Sequence, residues 1–446
     1  MRRIGRPAAL FAALLAVPAC SGGSGDAEGW SGAERSAAEA LEARAAVLLP
    51  EIETLAGLPA RAPIATGLRS REELEAYLAA ELERQLPAGK AAAVVRVYAR
   101  LGLVPADLDL APLLRALLLE QVVGYYDPAR DTLYVVSGVD SALVELVLAH
   151  EMVHALQDQY QDLDSLMRAN LDRNDRATAA QAALEGHATL AMLEWQLARL
   201  TGGTFDWEDL PDLSSLADGE LVEAAGLEMP ELAAAPRVVR ESLLFPYVGG
   251  LLYARARNRA VGGRSAPLGA AMPTSTEQVL HPERSFGEDR DEPTPLQLDA
   301  PPPGGWREVR ADGLGELEVR IWLEELLGDR DRAARAAGGW DGDRYRLLEG
   351  PGGEALLWVT AWDTEEDAAE FAAAARDALA RRYGDGPRGD GGKRRSLTVR
   401  PGDLDGVPIV TVLDAPEGAP AAALSAAARA ARVSSGQDAS GSEPGP

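Results

Sequence analysis

Two histidines and a glutamate interrupt an otherwise apolar helical run between residues 142 and 160, and this constrains the fold more than any other feature of the chain. They are His150, Glu151 and His154, in the motif HEMVH. Residues four apart lie on one face of a helix, so both imidazoles can hold one Zn²⁺ while Glu151 deprotonates a metal-bound water. Apolar residues surround the motif on most sides, which predicts a buried helix. Buried ionisable groups are unfavourable unless something satisfies them, and a metal ion does so. A pair of structural histidines is the alternative, but it would not need the glutamate between them.

A catalytic zinc site also needs a third protein ligand. The chain has a single cysteine, Cys20, so the candidates downstream of the motif are acids and His187. A second helix is predicted over about residues 175–200, and on it Glu185 and His187 would point roughly 200° apart. We predict that Glu185 faces the metal, because a mid-helix glutamate among Ala and Leu beside Gly186 has no evident structural purpose. The alternative is a solvated helix residue.

These two helices together resemble the gluzincins, the thermolysin-like clan of zinc metallopeptidases. More narrowly, they are similar to a set of poorly characterised bacterial HExxH proteins with an E-G-x-A third-ligand motif. The segments that carry the resemblance are GYYDP at 124–128, TLYVV at 132–136, AHEMVHALQDQ at 149–159, EGHA at 185–188, FPY at 245–247 and PTSTEQVLHP at 273–282. The resemblance spans about residues 40–290. One departure is His187, where such relatives often carry Asp.

The resemblance implies a hydrolase that binds one Zn²⁺ per chain through His150, His154 and Glu185, with Glu151 as the general base. The substrate would be a peptide or protein.

Two further features of the active site follow from the same resemblance. A His or Tyr side chain stabilises the oxyanion in gluzincins, and His281 and Tyr247 are the candidates here. The edge strand beside the motif helix pairs with the extended substrate, and residues 133–136 are the candidate strand. A purely structural hairpin is the alternative for those residues.

The first twenty residues predict export. Arg2, Arg3 and Arg6 precede a short apolar stretch, residues 8–17, that is too short to span a bilayer. It ends before Cys20, in a sequence that resembles a bacterial lipobox, so Cys20 is predicted to carry the lipid of a membrane-anchored envelope lipoprotein. The alternative is an ordinary signal peptide and a secreted protein. Apart from this anchor we expect no membrane contact.

The predicted fold class is α+β, mainly α. Residues 1–19 are the predicted signal peptide, 20–34 a flexible tether, and 35–290 a zincin-like metallopeptidase domain with a small hairpin or sheet beside the motif helix. Residues 300–416 are a predicted smaller α+β domain of unknown role, and 417–446 an Ala-rich segment and disordered tail. The predicted helices of the larger domain, besides the two that carry the motifs, cover about residues 35–57, 70–86, 89–101, 110–121 and 238–257. The hairpin is predicted at 122–126 and 133–136, and residues 314–327 could be strand or helix.

The formal net charge of −26 argues against a nucleic-acid partner, which would require clusters of Lys and Arg.

Two alternatives to a peptidase stay open. One is an exported binding or scaffold lipoprotein with a structural or vestigial zinc site, and the other is a zinc amidase acting on cell-wall peptides.

The lipid anchor gives a first testable prediction. Metabolic labelling with a fatty-acid analogue in a bacterial host should tag the wild-type protein in the membrane fraction. The change Cys20→Ser should abolish the label and yield either a soluble exported form or an uncleaved precursor. Wild-type protein that is exported unlabelled and soluble would contradict the lipobox assignment.

Overall fold

The fold is given by a computed structural model that describes residues 32–203, 205–209, 230–287, 290–298, 301–302, 304–384, 394–417, 424 and 432–433. Cys20, the predicted signal peptide and most of the predicted tail lie outside the described residues. Among the described helices, none combines the length and the apolar character needed to cross a bilayer.

Helices dominate the first two thirds of the chain. They are α1 Gly32–Ala56, α2 Arg71–Gln85, α3 Ala88–Leu101, α4 Leu110–Gln121, α5 Ser141–Asp158, α6 Leu163–Ala169, α7 Asn174–Thr201, α8 Pro230–Ala234, α9 Arg237–Val261 and α10 Thr276–Leu280. The predicted helices occur within a few residues of these bounds. For α2 the reason is local, because Ser70 and Glu73 form a capping box that satisfies backbone N–H groups at the start of the helix.

A small three-stranded sheet lies beside α5. Its strands are β1 Ala65–Arg69, β2 Gly124–Asp127 and β3 Thr132–Val136, in the order β1-β3-β2. Strand β3 pairs in parallel with β1 and in antiparallel with β2, so its backbone is paired on both sides. The prediction that residues 133–136 pair with a substrate is therefore wrong, because such pairing needs a free edge. Strands β1 and β2 are the two edges of this sheet, and no other described strand pairs with the outer side of either.

Residues 146–157 of the motif helix α5 are all buried, as the apolar composition of this helix predicts. Its apolar residues join those of α1, α7 and the small sheet in one hydrophobic cluster, which includes Ile52, Leu133, Val147, Met152 and Leu190. Burying each such side chain contributes roughly 1.5–3 kcal/mol. The cluster holds α5 between the sheet and α7.

Helices α7 and α9 cross with their backbones in contact. A Cβ added to Gly186 would lie 1.9 Å from the carbonyl carbon of Gly250, and one added to Gly250 would lie 2.0 Å from the carbonyl oxygen of Ala182. The two backbones can come this close because neither Gly186 nor Gly250 has a side chain. The crossing brings α9 against the helix that carries Glu185.

The remaining chain forms a five-stranded antiparallel sheet with three helices. The elements are β4 Leu296–Gln297, β5 Arg307–Asp312, α11 Gly315–Leu327, α12 Arg330–Ala337, β6 Trp340–Gly350, β7 Gly353–Trp362, α13 Glu365–Tyr383, β8 Arg395–Leu404, β9 Val407–Pro416 and β10 Arg432–Val433. The sheet order is β5-β6-β7-β9-β8, and β4 pairs with β10 separately. Residues 315–327, predicted as strand or helix, are a helix. The α+β class is confirmed.

This second unit packs directly on the first. Trp322 of α11, Trp358 of β7 and Phe371 of α13 form an aromatic cluster that belongs to the same hydrophobic core as Val97 of α3 and Leu184 of α7. Hydrogen bonds at the start of α7 also join the two units.

The first residue of α7 is anchored on carboxylates of the second unit. The backbone N–H of Asn174 donates to Asp312 Oδ1 at 3.1 Å, and its carboxamide donates to Glu318 Oε1 at 2.8 Å. Negative groups at a helix N-terminus are favourable because they satisfy free N–H groups and oppose the helix dipole. The helix that carries Glu185 is therefore anchored at its start by the second unit.

The start of α13 differs from its local sequence pattern. Asp363-x-x-Glu366 matches a capping box, but Thr364 is the N-cap, and its side chain accepts from the backbone N–H of Asp367. Asp363 instead binds Arg284 at 2.6 Å. The carboxylate of Asp363 therefore forms an ion pair with the distant residue Arg284 and does not cap the helix.

The helix crossing gives a second testable prediction. Gly186→Ala should lower the free energy of unfolding by about 1–3 kcal/mol, because the new methyl group overlaps the backbone of α9. Gly89 of α3 is the matched control, since a Cβ there meets nothing within 4 Å. Gly89→Ala should be neutral or stabilising by up to about 1 kcal/mol. Urea unfolding of the full chain measures both, and equal stability of Gly186→Ala and wild type would contradict the close crossing.

Candidate metal centre

The three predicted ligand side chains meet inside the molecule. His150, His154 and Glu185 are 0%, 3% and 2% exposed. His150 Nε2 lies 3.1 Å and His154 Nε2 lies 3.3 Å from Glu185 Oε2, and the two nitrogens are 3.2 Å apart. Helix α5 supplies both imidazoles from one face, and α7 brings the carboxylate opposite them.

This triangle fits a zinc ion. Ligand atoms bound to zinc at about 2.0–2.1 Å with tetrahedral angles are about 3.3 Å from one another. The donor set of two imidazole nitrogens and one carboxylate oxygen is also one that zinc accepts in catalytic sites. No fourth His, Cys, Asp or Glu joins the group within the described residues.

His187 points away from the triangle, as the helical spacing predicts. Its Nε2 lies 3.0 Å from the carbonyl oxygen of Ala56, at the end of α1, and its Nδ1 lies 3.0 Å from Gln157 Nε2. A carbonyl oxygen only accepts, so Nε2 carries the proton and Nδ1 accepts from the amide. His187 is thus one step removed from the ligands.

Gln157 links His187 to the ligand His154. Its Oε1 lies 2.9 Å from His154 Nδ1, and its Nε2 also donates to the carbonyl oxygen of Leu184 at 3.1 Å. The carboxamide oxygen accepts from His154 Nδ1–H, which leaves the lone pair of His154 Nε2 for a metal. Gln157, His187 and the Ala56 carbonyl together form the hydrogen-bond chain that orients His154.

Gln157 was missed by sequence reasoning, although a signal was present. It follows His154 by three residues and so lies near it on a buried, apolar helix. A fully buried carboxamide in that position needs partners. The sequence could show this need but not which groups meet it.

The pKa values of the three ligand side chains depend on burial and on one another's charges. Burial alone would raise the pKa of Glu185, but His154 and His150 lower it to about 2. Burial lowers the pKa of His150. Burial also opposes protonation of His154, but the Glu185 carboxylate outweighs it and raises that pKa to about 9. The ionised carboxylate therefore attracts a positive charge to this point, and without a metal the proton on His154 supplies it.

Glu151 has one engaged oxygen and one free oxygen. Its Oε2 accepts from the backbone N–H of Tyr126 at 2.9 Å. Its Oε1 is buried and has no hydrogen-bond partner in the part of the chain that the structure describes. Burial raises the pKa of Glu151 to about 8. The edge strand β2 thus orients the carboxylate and leaves one oxygen for a proton.

Tyr247 of α9 lies on the other side of His150. The two ring centroids are 6.4 Å apart, and the buried hydroxyl has no partner among the described residues. Burial and the nearby charges of Glu185 and Glu151 raise its pKa well above the usual range, so it remains a donor. His150 Nδ1 is unpartnered in the same sense. Buried polar groups without a partner are uncommon in proteins and are often found at sites that bind water, an ion or another ligand.

The structure does not bring His281 to these groups. Its Nε2 lies 3.0 Å from Glu316 Oε1 and 3.2 Å from Arg320, both on α11, and its ring is partly exposed. The prediction that His281 donates to an oxyanion is therefore not supported. An ion-pair partner on a distant segment explains its position.

A largely apolar pocket leads to the ligands from one side. Its lining residues are Tyr126, Pro128, His154, Leu163, Met167, Gln181, Leu184 and Glu185. They come from the end of β2, from α5, from α6 and from α7. Two of the three candidate ligands, His154 and Glu185, therefore line this pocket.

A second group of carboxylates has a different explanation. Glu277, Asp291 and Asp363 could hold a cation by their spacing. One nitrogen of Arg284 lies 2.8, 3.1 and 2.6 Å from their respective oxygens. The guanidinium already provides the positive charge, and this group joins the second unit to the loop after α10.

Comparison with known proteins covers only the second unit. A sequence family described as a domain of unknown function, DUF8575, matches residues 303–423, which is well under half of the chain. No curated protein and no solved structure gives a significant match. The residues of the candidate metal centre lie before the matched segment.

The geometry gives a third testable prediction, on zinc affinity. Glu185→Ala should weaken zinc binding by orders of magnitude, because it removes a ligand. His187→Ala and Gln157→Leu should weaken it by about 10- to 100-fold, the usual effect of losing a group that orients a ligand. Competition with a chromophoric chelator measures all three. A larger loss for His187→Ala than for Glu185→Ala would reverse the ligand assignment.

Proposed function

We propose that the protein is an exported, lipid-anchored zinc metallopeptidase of the gluzincin type, in which residues 35–290 form a zincin-like domain. One observation carries the proposal. The ligand atoms of His150, His154 and Glu185 form a triangle of 3.1–3.3 Å beside a buried carboxylate oxygen of Glu151 that has no partner in the described structure. A structural metal site has no use for that fourth, acidic group.

Two neutral imidazoles and one carboxylate around Zn²⁺ leave a net charge of +1. Bound there, zinc would polarise a peptide carbonyl and lower the pKa of a water molecule. The Gln157 chain holds the Nδ1 proton of His154, so Nε2 is the nitrogen that would bind the metal when its own proton is displaced, and the Glu185 carboxylate attracts the cation. These residues therefore fix which atoms of the site would face a metal.

Glu151 acts as the proton carrier. Its Oε2 is held by the Tyr126 N–H at 2.9 Å, so Oε1 is the atom that takes the proton from the attacking water. The same oxygen then delivers the proton to the leaving amine. Burial raises the pKa of this carboxyl to about 8 without a metal, and the positive charge of a bound zinc would lower it, so that the carboxylate could accept a proton and release it near neutral pH.

Tyr247 is the proposed donor to the developing oxyanion. Its hydroxyl is buried and unpartnered among the described residues, and its raised pKa keeps it protonated. A donor that is already oriented and shielded from water can stabilise charge in the transition state without reorganisation. Of the two sequence candidates, only Tyr247 has this placement.

The absence of a fourth protein ligand within the described residues argues against the scaffold alternative, because structural zinc sites are usually closed by four. An amidase would use the same metal chemistry on another substrate, and the choice depends on what the cleft binds.

A fourth prediction tests the mechanism. Glu151→Gln should retain zinc and fold but lose about 10²- to 10⁴-fold of the peptidase activity, because it removes only the proton carrier. The matched control is Glu145→Gln on the same helix, whose carboxylate pairs with Arg44 and Arg199 away from the ligands. That variant should stay active.

The assay is hydrolysis of a fluorescence-quenched peptide library, with and without a chelator. Zinc content and circular dichroism are measured on the same samples. Equal activity of wild type and Glu151→Gln would exclude this mechanism. Inactive wild-type protein that binds zinc normally would favour a binding protein.

A further inference from the structure

We propose that Tyr126 and Asp158 are positioning residues for Glu151, because the hydrogen bond between their side chains fixes strand β2 against the motif helix α5. The inference rests on the proposed function and adds these two residues to its mechanism. The phenol of Tyr126 donates to Asp158 Oδ2 at 2.9 Å, and its backbone N–H donates to Glu151 Oε2 at 2.9 Å. Asp158 follows Glu151 by about two helical turns on α5. Tyr126 therefore contacts α5 at two separate points, one of which is the proton carrier.

The backbone N–H of Tyr126 is not used by the sheet. The N–H of Val136 on β3 donates to the carbonyl oxygen of Val123 at 2.9 Å, and β2 and β3 are antiparallel. Alternate residues of an antiparallel strand direct their N–H groups toward the partner strand, so the N–H of Tyr126 points to the outer side. Glu151 lies on that side and accepts from it. The position of the carboxylate therefore depends on the position of β2.

Asp158 joins the end of α5 to two other elements. Its Oδ2 accepts from Tyr126, and its Oδ1 accepts from the backbone N–H of Leu163, the first residue of α6, at 2.8 Å. Both carboxylate oxygens are therefore engaged by different segments. Asp131 Oδ1 also approaches the phenol, but at 3.4 Å it is beyond the usual range for an O–H···O hydrogen bond. Asp158 is thus the main acceptor for the Tyr126 hydroxyl.

The hydroxyl group of Tyr126 sets a direction and is not needed to fill space. Tyr126 is 3% exposed and packs in the hydrophobic cluster that includes Leu133 and Met152. The change Tyr126→Phe would keep these apolar contacts and remove only the bond to Asp158. Without that bond, β2 would be free to shift along α5 and to move the N–H that holds Glu151. A displacement of about 1 Å at a catalytic group can lower the rate by on the order of 100-fold.

The kinetic test compares two Tyr→Phe variants of the zinc-loaded, full-length protein. Tyr126→Phe should lower kcat for a fluorescence-quenched peptide about 10- to 100-fold, because the general base is misplaced, and should change KM and zinc affinity by less than about threefold. Tyr160→Phe is the matched control, since the hydroxyl of Tyr160 also donates a hydrogen bond, to the carbonyl oxygen of Pro59 at 2.8 Å. That contact lies at the loop after α1, so this variant should keep kcat.

A double-mutant cycle tests whether the two residues act as a pair. Asp158→Ala should also lower kcat, and adding Tyr126→Phe to it should lower kcat by less than about threefold more. The reason is that the phenol has already lost its main acceptor. Losses that multiply would show that the two residues act independently and would overturn the pairing.

Amide hydrogen exchange gives a readout that does not need activity. Because the sheet does not use the N–H of residue 126, its protection reports the bond to Glu151. This amide should exchange about 10-fold faster in Tyr126→Phe than in wild type, with and without zinc, and at the wild-type rate in Tyr160→Phe. Glu151→Ala gives the exchange rate for complete loss of the bond.

An unchanged exchange rate at residue 126 in Tyr126→Phe, or a kcat equal to that of wild type, would overturn the inference. An equal loss of kcat in Tyr160→Phe would also overturn it, because the loss would then reflect general stability. Peptide hydrolysis by the wild-type protein decides the proposed function separately. If hydrolysis is absent, the proposed function fails, and amide exchange alone decides whether Tyr126 and Asp158 position Glu151.

Discussion

The structure depends on the burial of four ionisable groups between two helices. His150, Glu151, His154 and Glu185 are each at most 3% exposed, in the middle of an apolar cluster. Such burial is unfavourable unless each group is paired, and the pairing here is almost complete around one central point. The ligand atoms approach one another, the Tyr126 amide holds one oxygen of Glu151, and the other oxygen of Glu151 has no partner among the described residues. A cation and a water molecule at that place would satisfy the arrangement.

Contacts between the surrounding helices fix the relative positions of these four groups. Gly186 lets α9 contact α7 at the turn that carries Glu185, which also sets the position of Tyr247 three residues before Gly250. The hydrogen-bond chain from His154 through Gln157 and His187 ends on the last residue of α1. Because each contact joins a different helix, a shift of any one of them would disturb the ligands.

The second unit supports helix α7 at positions away from the ligands. Its carboxylates bind the first residue of α7, and its aromatic cluster continues the core that includes Leu184. Arg284 binds Glu277 and Asp291 on its own side and Asp363 on the other. These contacts support the helix of Glu185 without placing any residue of the second unit among the ligands. They give this segment, which matches a domain of unknown function, a structural role.

Local patterns in the sequence were enough to predict the longer helices of the first unit, the hairpin, the burial of the motif helix and the fact that only one of Glu185 and His187 can face the motif histidines. Each of these follows from periodicity, capping or helical spacing within a few residues. Tertiary structure alone decided the contacts between distant segments. It put β3 in the centre of its sheet, made Gln157 the partner of His154, paired His281 with Glu316 and used Asp363 to bind Arg284 rather than to cap α13. The physical reason is that a hydrogen bond or ion pair depends on where another part of the chain lies, and no local pattern records that position.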